Sequence, residues 1–322
     1  MDGFRIPVGS WVDAGVDWLR DNLSGLFDVI AVTVRFLVGG LSDVLLAAPI
    51  IVVIIIAALL AWLLRSWKLA IGTAIGFALI LAMGQWVTAM QTLALVLVAT
   101  VVAVGISVPL GIWSARNPAV RAVLKPILDF MQTMPAFVYL IPAITFFSIG
   151  VVPGVVSTVI FALPPGVRLT ELGIRGVDSE TVEAGHAFGA TPGQILRGIQ
   201  LPLAMPTIMA GVNQVIMLAL SMAVVAGIVG ADGLGKEVVQ SISTVNLPKG
   251  VEAGLSVVIL AVYLDRLTAA LGNRADNRSS LLAVLGRRRA AGTTDATPPR
   301  PTPTTTAPVE AESARTPVST GA

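Results

Sequence analysis

Three features of this chain predict an all-α membrane protein that crosses the bilayer several times. Hydrophobic residues make up 55% of its 322 residues and charged residues only 12%, with a mean hydropathy of +0.85. This composition leaves too little polar surface to cover a soluble globule. Residues 44–64 carry no charge and are long enough as a helix to cross a hydrocarbon core of about 30 Å. The third feature is the distribution of basic residues among the connecting segments.

We predict seven transmembrane helices, with the N-terminus outside the cell and the C-terminus inside. The predicted spans are residues 44–64, 69–87, 91–114, 130–150, 152–167, 207–231 and 251–271. This orientation places fourteen Lys and Arg residues on the cytoplasmic side and five outside, leaving aside two in the C-terminal tail. The positive-inside rule therefore supports seven spans. Merging the first two spans would reverse the N-terminus, and the polar turn Arg65–Lys68 argues against it.

The two ends of the chain differ in character from the apolar middle, residues 44–271. In residues 1–43, apolar residues recur every three or four positions with Asp residues between them, which predicts an amphipathic helix on the outer membrane face. Its six Asp and three Arg fit poorly with an anionic cytoplasmic leaflet. Residues 272–290 form a basic cytoplasmic segment, and the Thr/Pro/Ala-rich residues 291–322 form a disordered tail.

A polar cytoplasmic segment, residues 168–206, interrupts the apolar blocks and carries the signals of two short helices. Asp178 can cap the first helix, acidic residues in its first turn favour the helix dipole, and Gly189 can end it. Thr191 to Gln194 form a capping box with Pro192 at the first helical position, which starts a second helix that ends near Ile199. We expect a compact knob with small residues and one aromatic at its tip: Ala184, Ala187, Phe188 and Ala190.

The spacing of residues in this polar segment resembles the EAA loop of ABC importer permeases. Glu183-Ala184-Gly185 is followed by Gly189 and then by Ile199, Leu201 and Pro202, with Gly185 where the family usually has Ala. Further stretches are similar to the permeases of glycine betaine/proline importers of the quaternary-ammonium type: Asp129 to Tyr139, Phe188 to Thr191, Gln200 to Asn213, and Ile216 to Met222. The resemblance covers about residues 40–270.

This resemblance implies the transmembrane domain of a type I ABC importer in a bacterial cell membrane. A second permease copy, an ABC ATPase subunit and an external substrate-binding protein are the implied partners besides lipid, and nucleic acid is not among them. ATP and magnesium would be bound by the ATPase, so no cofactor is expected in this chain. The residues implied to couple to the ATPase are Glu183, Ala184, Gly185, Ala187, Phe188, Gly189, Ala190, Thr191, Ile199, Leu201 and Pro202.

Polar residues within the predicted spans are candidates for the translocation path. These are Gln132 and Thr133 on the fourth span, and Asn213 and Gln214 on the sixth. Polar groups at this depth usually face the interior of a bundle. An interhelical hydrogen bond is an equally good interpretation, and the sequence does not decide between the two.

Two other features have plain structural interpretations. Residues Gly230 to Lys236 match a phosphate-binding loop, but Glu237 stands where a Ser or Thr should hold magnesium, and no strand precedes the loop. We interpret it as an external turn. His186, the only histidine, cannot build a metal site alone and is expected to be solvated or at an interface.

Alternative functions remain open at this point. An ABC permease for another small solute, such as an amino acid or a sulfonate, would have the same coupling loop. An ion-driven secondary carrier or a channel would need acidic residues within the membrane, and the interiors of the first six predicted spans contain none. An intramembrane enzyme would need a catalytic constellation, and no Ser/His or His/Glu pair has suitable spacing. We therefore expect a transport subunit that is not itself an enzyme.

Overall fold

The computed structural model describes residues 7–272, except for the side chains of Val8 and Val12. These residues belong to one compact unit. The predictions for the basic segment after Gly272 and for the tail 291–322 lie outside the described residues.

Helices account for nearly all of the described residues, and no β-strand occurs between residues 7 and 272. The α-helices of this region are α1 (Val8–Ala47), α2 (Ile50–Leu64), α3 (Trp67–Ala82), α4 (Trp86–Arg116), α5 (Pro118–Thr133), α6 (Leu140–Phe147), α7 (Val151–Arg175), α8 (Ser179–Ala187), α9 (Pro192–Ile195), α10 (Leu201–Ala226), α11 (Leu234–Ser243) and α12 (Leu247–Gly272).

Helix α7 lies at the centre of the bundle, between α4 and α10. A side chain at Gly111 of α4 would come within 2.5 Å of Thr170 of α7, so the two backbones are very close at this crossing. Likewise, a side chain at Gly154 of α7 would lie 2.9 Å from Ala226 of α10. The order of these contacts makes α4 and α7 parallel and α10 antiparallel to both. Small residues let membrane helices approach closely enough for strong van der Waals packing.

We call the end of the bundle where α4 and α7 begin the outer end, following the predicted orientation. The chain must return to this end between Arg116 and Val151, and it does so through a bent segment made of α5, a 3₁₀ turn at Ala136–Tyr139, and α6. Its two halves meet at an angle of 109°. The Ser157 hydroxyl of α7 donates a hydrogen bond of 3.1 Å to the carbonyl oxygen of Tyr139, which satisfies one backbone group freed by the bend.

Five helical segments of residues 7–272 are long and apolar enough to cross a membrane, and the bent segment makes six. The five are Gly9–Ala47, Trp86–Arg116, Val151–Arg175, Pro192–Val229 and Leu247–Gly272. Helices α2 and α3 are shorter, at 15 and 16 residues. Seven crossings therefore stay a prediction. That number requires the short helices α2 and α3 to cross the membrane and α1 to remain outside it.

The contacts of α1 favour a position across the outer end. The Phe27 ring stacks on Phe146 at the end of α6, with centroids 4.5 Å apart. Further along the helix, Arg35 and Asp43 border a cavity of about 230 Å³ together with Val151, the first residue of α7. Both contacts lie at the outer end, although about 24 Å of helix would separate residues 27 and 43. A helix that ran parallel to the other spans would move away from the outer end over this distance. Helix α1 therefore lies across that end.

Several predicted boundaries are wrong, for identifiable reasons. The span 44–64 is interrupted, because Ala48 is extended before Pro49 and α1 ends at Ala47, which also puts the 43/44 boundary inside a helix. Helix α7 continues beyond the predicted span 152–167 to Arg175, and Arg168 and Glu171 in this extension pair with residues of α5. The predicted span 130–150 is not one straight helix, because it contains the end of α5, the bend and α6.

The crossing of α10 and α11 at the outer end supplies a test of packing. A methyl group at Gly227 would lie 2.3 Å from the backbone carbon of Gly235, where nothing can move aside. We expect Gly227→Ala to destabilise the protein by about 1–3 kcal/mol through overpacking. Thermal unfolding in detergent measures this, with Gly254→Ala on α12 as the control, because no atom lies within 4 Å of that position. Equal stability of the two variants would contradict the packing described here.

The orientation can be tested by labelling, since the chain contains no cysteine. Trp11→Cys places a thiol on the exposed part of α1, and Ala187→Cys places one on the exposed surface of α8. We expect an impermeant maleimide to label the first variant in intact cells and the second only after lysis. The reverse pattern would refute an external N-terminus.

Candidate coupling site

Helix α8 begins and ends as its sequence predicts. The Asp178 carboxylate accepts a hydrogen bond of 3.0 Å from the Glu180 N–H, which caps the start of the helix. At the other end, the Gly189 N–H donates to the His186 carbonyl oxygen (2.9 Å) and the Ala190 N–H donates to that of Gly185 (3.1 Å). This pair of bonds is the Schellman motif, and it requires the left-handed φ of +78° that Gly189 adopts.

The second helix also starts as predicted but does not end near Ile199. The Thr191 side chain accepts from the Gln194 N–H, and the Gln194 side chain accepts from the Thr191 N–H at 2.8 Å, which completes the capping box. After α9 the chain forms a π-helical turn, Leu196–Gln200, and enters α10 without a break. Because Pro202 has no N–H and its ring needs space, the wider turn lets a continuous helix accommodate it.

We call residues 176–200 the coupling loop, and its interior combines two residues that the sequence assigned to ATPase coupling, Gly185 and the half-buried Ile199, with the buried Ile195, which the sequence did not assign. Gly185 is buried, and a methyl group there would lie 2.8 Å from Cδ1 of Ile199 and 3.4 Å from Cγ1 of Ile195. Gly185 thus lets α8 lie directly on the π-helical turn. Leu201 is half-buried beside Leu196, Ile174 and Ala204. Gly185, Ile199 and Leu201 therefore hold the loop together and attach it to α7 and α10.

The remaining residues predicted to couple to the ATPase lie at the surface of the loop. Phe188 is 91% exposed, an unusual position for a large apolar side chain. Around it lie residues that are small or polar, all of them exposed except the half-buried Ala190: Glu183, Ala184, Ala187, Gly189, Ala190 and Thr191. Pro202 is exposed as well, at the start of α10. The structure thus separates the predicted set into a buried support and an exposed surface.

Three arginines border cavities beside the coupling loop. An open cavity of about 790 Å³ is bordered by Arg116, Arg197, Thr191 and Gln194. A smaller one, of about 200 Å³, lies between Arg116, Arg175 and the exposed His186. Within residues 7–272, none of these three arginines forms a salt bridge. The acidic residues of α8, Glu180 and Glu183, are exposed on the loop itself.

The four translocation-path candidates are not brought together within this one chain. Asn213 donates a hydrogen bond of 2.9 Å to Asp265 and accepts one of 2.6 Å from Thr268, so it links α10 to α12. For this residue the interhelical hydrogen bond is what the structure shows. Gln132, Thr133 and Gln214 are exposed on the surface of the chain.

The segment that resembles a phosphate-binding loop closes the outer end of the bundle. The Leu234 N–H donates a hydrogen bond of 2.8 Å to Thr92 Oγ1 on α4. Lys236 pairs with Asp232 at 2.8 Å, and the hydrogen bond that the ammonium donates to this carboxylate raises the pKa of Lys236. Lys236 and the Leu234 N–H are thus engaged within the protein, but the predicted turn extends only to Gly233, because α11 begins at Leu234.

Sequence reasoning missed a group of charged residues between α5 and α7. Glu171 accepts a hydrogen bond from Ser114 and forms an ion pair with Arg121, and Arg168 pairs with Asp129. From the sequence, Arg121 and Arg168 were counted only as basic residues on the cytoplasmic side of the membrane. The signal available was an acidic residue within a basic cytoplasmic segment, but its partners are about fifty positions away in the sequence.

Comparison with known proteins identifies the family. The profile described as "Binding-protein-dependent transport system inner membrane component" matches residues 107–277. The chain belongs to this family. It is 50% identical over 264 residues to the glycine betaine transport system permease protein OpuAB of Bacillus subtilis (strain 168), which covers 82% of this chain and 94% of that protein. It is 48% identical to the glycine betaine/proline betaine transport system permease protein ProW of Escherichia coli (strain K12), covering 85% and 77%.

A solved structure of the MetNI methionine ABC transporter, in an inward-facing conformation, is also similar, with a TM-score of 0.50 and 26% identity. It covers 57% of this chain and 90% of that one. These comparisons confirm the resemblance inferred from the sequence and the all-α permease fold. The chain is a multi-pass protein of the cytoplasmic membrane and a transport subunit of an ABC importer.

The left-handed backbone at Gly189 gives a test of the loop geometry. No atom lies within 4 Å of a side chain built at this position, so only the backbone conformation restricts it. We expect Gly189→Val to disrupt the end of α8, because a left-handed φ costs a β-branched residue about 1–2 kcal/mol or more. Gly189→Asn, which tolerates this conformation, is the matched control. Hydrogen exchange of the α8 amides should rise in the Val variant alone, and equal exchange in both would contradict the assignment.

Proposed function

We propose that this chain forms the membrane path of an importer for glycine betaine or a closely similar quaternary ammonium solute. The relatives at 48–50% identity are named as permeases for glycine betaine, for glycine betaine and proline betaine, and for glycine betaine and carnitine. A quaternary ammonium group is common to these solutes. Energy would come from ATP bound, with magnesium, by a separate ATPase subunit.

The coupling loop is the proposed docking site for that ATPase, and the exposure of Phe188 is the observation that carries this. Burying an aromatic side chain of this size contributes about 1.5–3 kcal/mol. Ala184 and Ala187 lie on the same exposed surface and would let a partner approach the helix backbone closely. The buried contacts of Gly185 with Ile195 and Ile199 make the loop rigid enough to transmit a displacement to α7 and α10.

A second copy of the chain is the proposed partner within the membrane. Val123, Ile127 and Phe130 form an exposed apolar stripe on α5, on the side away from α7. Gln132 and Thr133, at the end of the same helix, and Gln214 are polar and exposed, which is unfavourable against lipid. A path between two copies would give these polar groups an aqueous surface. Substrate would be delivered to this path at the outer end by an external binding protein.

The substrate can be tested in a strain that lacks its own betaine transporters. We expect cells that express the chain together with its ATPase and binding protein to accumulate labelled glycine betaine under osmotic stress. Excess unlabelled proline betaine or carnitine should compete, whereas methionine or taurine should not. Competition by methionine or taurine alone would favour the importer of an amino acid or a sulfonate instead.

Docking can be tested at Phe188. We expect Phe188→Asp to abolish copurification of the ATPase, because a carboxylate cannot enter an apolar pocket without losing its hydration. Phe36→Asp is the matched control: Phe36 is 76% exposed but lies on α1, far along the chain from the coupling loop. Retention of the ATPase by the Phe188 variant would refute the docking site.

A further inference from the structure

The carboxylate of Glu171 joins three helices one turn before the coupling loop. Its Oε2 accepts a hydrogen bond of 2.7 Å from Ser114 Oγ on α4, and its Oε1 lies 2.7 Å from Arg121 Nε on α5. Ser114 is 1% exposed and the Glu171 side chain 15%, whereas the Arg121 side chain is 45% exposed. The hydrogen bond from Ser114 is therefore shielded from water, while solvent partly screens the ion pair with Arg121.

A second ion pair joins the same two helices further along. Asp129 of α5 pairs with Arg168 of α7, and both side chains are more exposed than Glu171. The two pairs have opposite polarity, because α5 contributes the cation of one and the anion of the other. They are eight residues apart on α5, or about 12 Å. If α5 slid along α7 so that the partners were exchanged, Arg121 would face Arg168 and Asp129 would face Glu171. Because like charges repel, the two pairs favour a single register of α5 against α7.

The position of these residues connects the coupling loop to the bent segment. Glu171 lies four residues before Arg175, where α7 ends and the loop that carries α8 begins. At its other end, α5 leads directly into the bend of 109° before α6. The Tyr139 hydroxyl donates back to the Met131 carbonyl oxygen, which holds the turn at the bend against α5. A movement of α7 is therefore passed to α5, and through α5 to the bend.

We propose that Ser114, Arg121, Asp129, Arg168 and Glu171, the α5–α7 link, make α5 follow α7 when the coupling loop moves, so that ATP-driven docking reorients the bent segment. This role rests on the proposed function, because it requires an ATPase on the coupling loop. Glu171 is a positioning residue: it acts through α5 and does not contact the solute. Rigid-body movement of packed helices is a common form of such transitions.

The transport test uses the complete importer, with its ATPase and binding protein, in liposomes. We expect Glu171→Gln to keep the ATPase bound and active but to lower the ratio of glycine betaine transported to ATP hydrolysed by about fivefold or more. Asp129→Arg and Arg168→Asp should each lower the ratio, and the double variant should restore it by reversing the pair. Lys125→Gln is the matched control, because Lys125 lies on α5 between the two pairs and has no salt-bridge partner among the described residues.

An unchanged ratio in Glu171→Gln and in both single variants would overturn the link. Loss of ATPase copurification in Glu171→Gln would also overturn it, because that result would make Glu171 part of the docking support. If Glu171→Gln fails to fold, rescue of the Asp129 and Arg168 single variants by the double variant still decides the question.

A distance measurement separates this proposal from the identity of the substrate. Since the chain has no native cysteine, Val123→Cys on α5 and Leu172→Cys on α7 can carry a pair of spin labels. We expect the same distance without nucleotide and with ATP and vanadate, and a shift on nucleotide binding only when Glu171→Gln is added. A nucleotide-dependent shift with Glu171 present would refute the link. Absence of betaine uptake with an invariant distance would instead refute the proposed substrate and leave the link supported.

Discussion

The close approach of α7 to both α4 and α10 is the constraint on which the other features of this structure depend. Glycines at the crossings bring the backbones into contact, and α7 then occupies the centre of the bundle along its whole length. Its outer half supports the bent segment through Ser157 and Tyr139. Its cytoplasmic end carries Glu171 and continues into the coupling loop. A helix packed this tightly moves as a body, so one element can connect the loop, the ion pairs and the bend.

Three interruptions of the helices are each matched by a local means of satisfying the backbone. The break between α1 and α2 lies at Pro49, which has no N–H to satisfy. The end of α8 uses the Schellman motif at Gly189, and the entry into α10 uses a π-helical turn before Pro202. These devices satisfy, or avoid, backbone groups that would otherwise lose their partners where the helices break or end.

Local signals predicted the two helix starts and the end of α8 accurately, since capping and helix termination depend on neighbouring residues, but the second helix continues into α10 instead of ending near Ile199. Asp178, the Thr191–Gln194 box and Gly189 all act as the sequence indicates. The predicted spans matched the helices less well, because helices continue, break and bend at positions that charge and hydropathy do not mark. Helix α7 continues past the predicted span to Arg175, and Arg168 and Glu171 in this extension pair with residues of α5. The coupling residues also divided into buried and exposed groups, and spacing alone cannot distinguish these.

The amino-acid sequence by itself determined the membrane class, the helical architecture, the family and the local geometry of the coupling loop. The membrane class, the helical architecture and the loop geometry follow from composition, periodicity and short-range hydrogen bonding, whereas the family rests on the resemblance of the motifs that contain Glu183 and Asp129 to those of known permeases. Only the tertiary structure decided that Gly185 faces Ile199, that Asn213 joins Asp265 and Thr268, and that Glu171 meets Ser114 and Arg121. These contacts join residues on different helices, and their formation depends on how far each helix is rotated and displaced in the packed bundle. The rotation and displacement of each helix depend on how entire helix surfaces fit together, and a short stretch of sequence does not determine this fit.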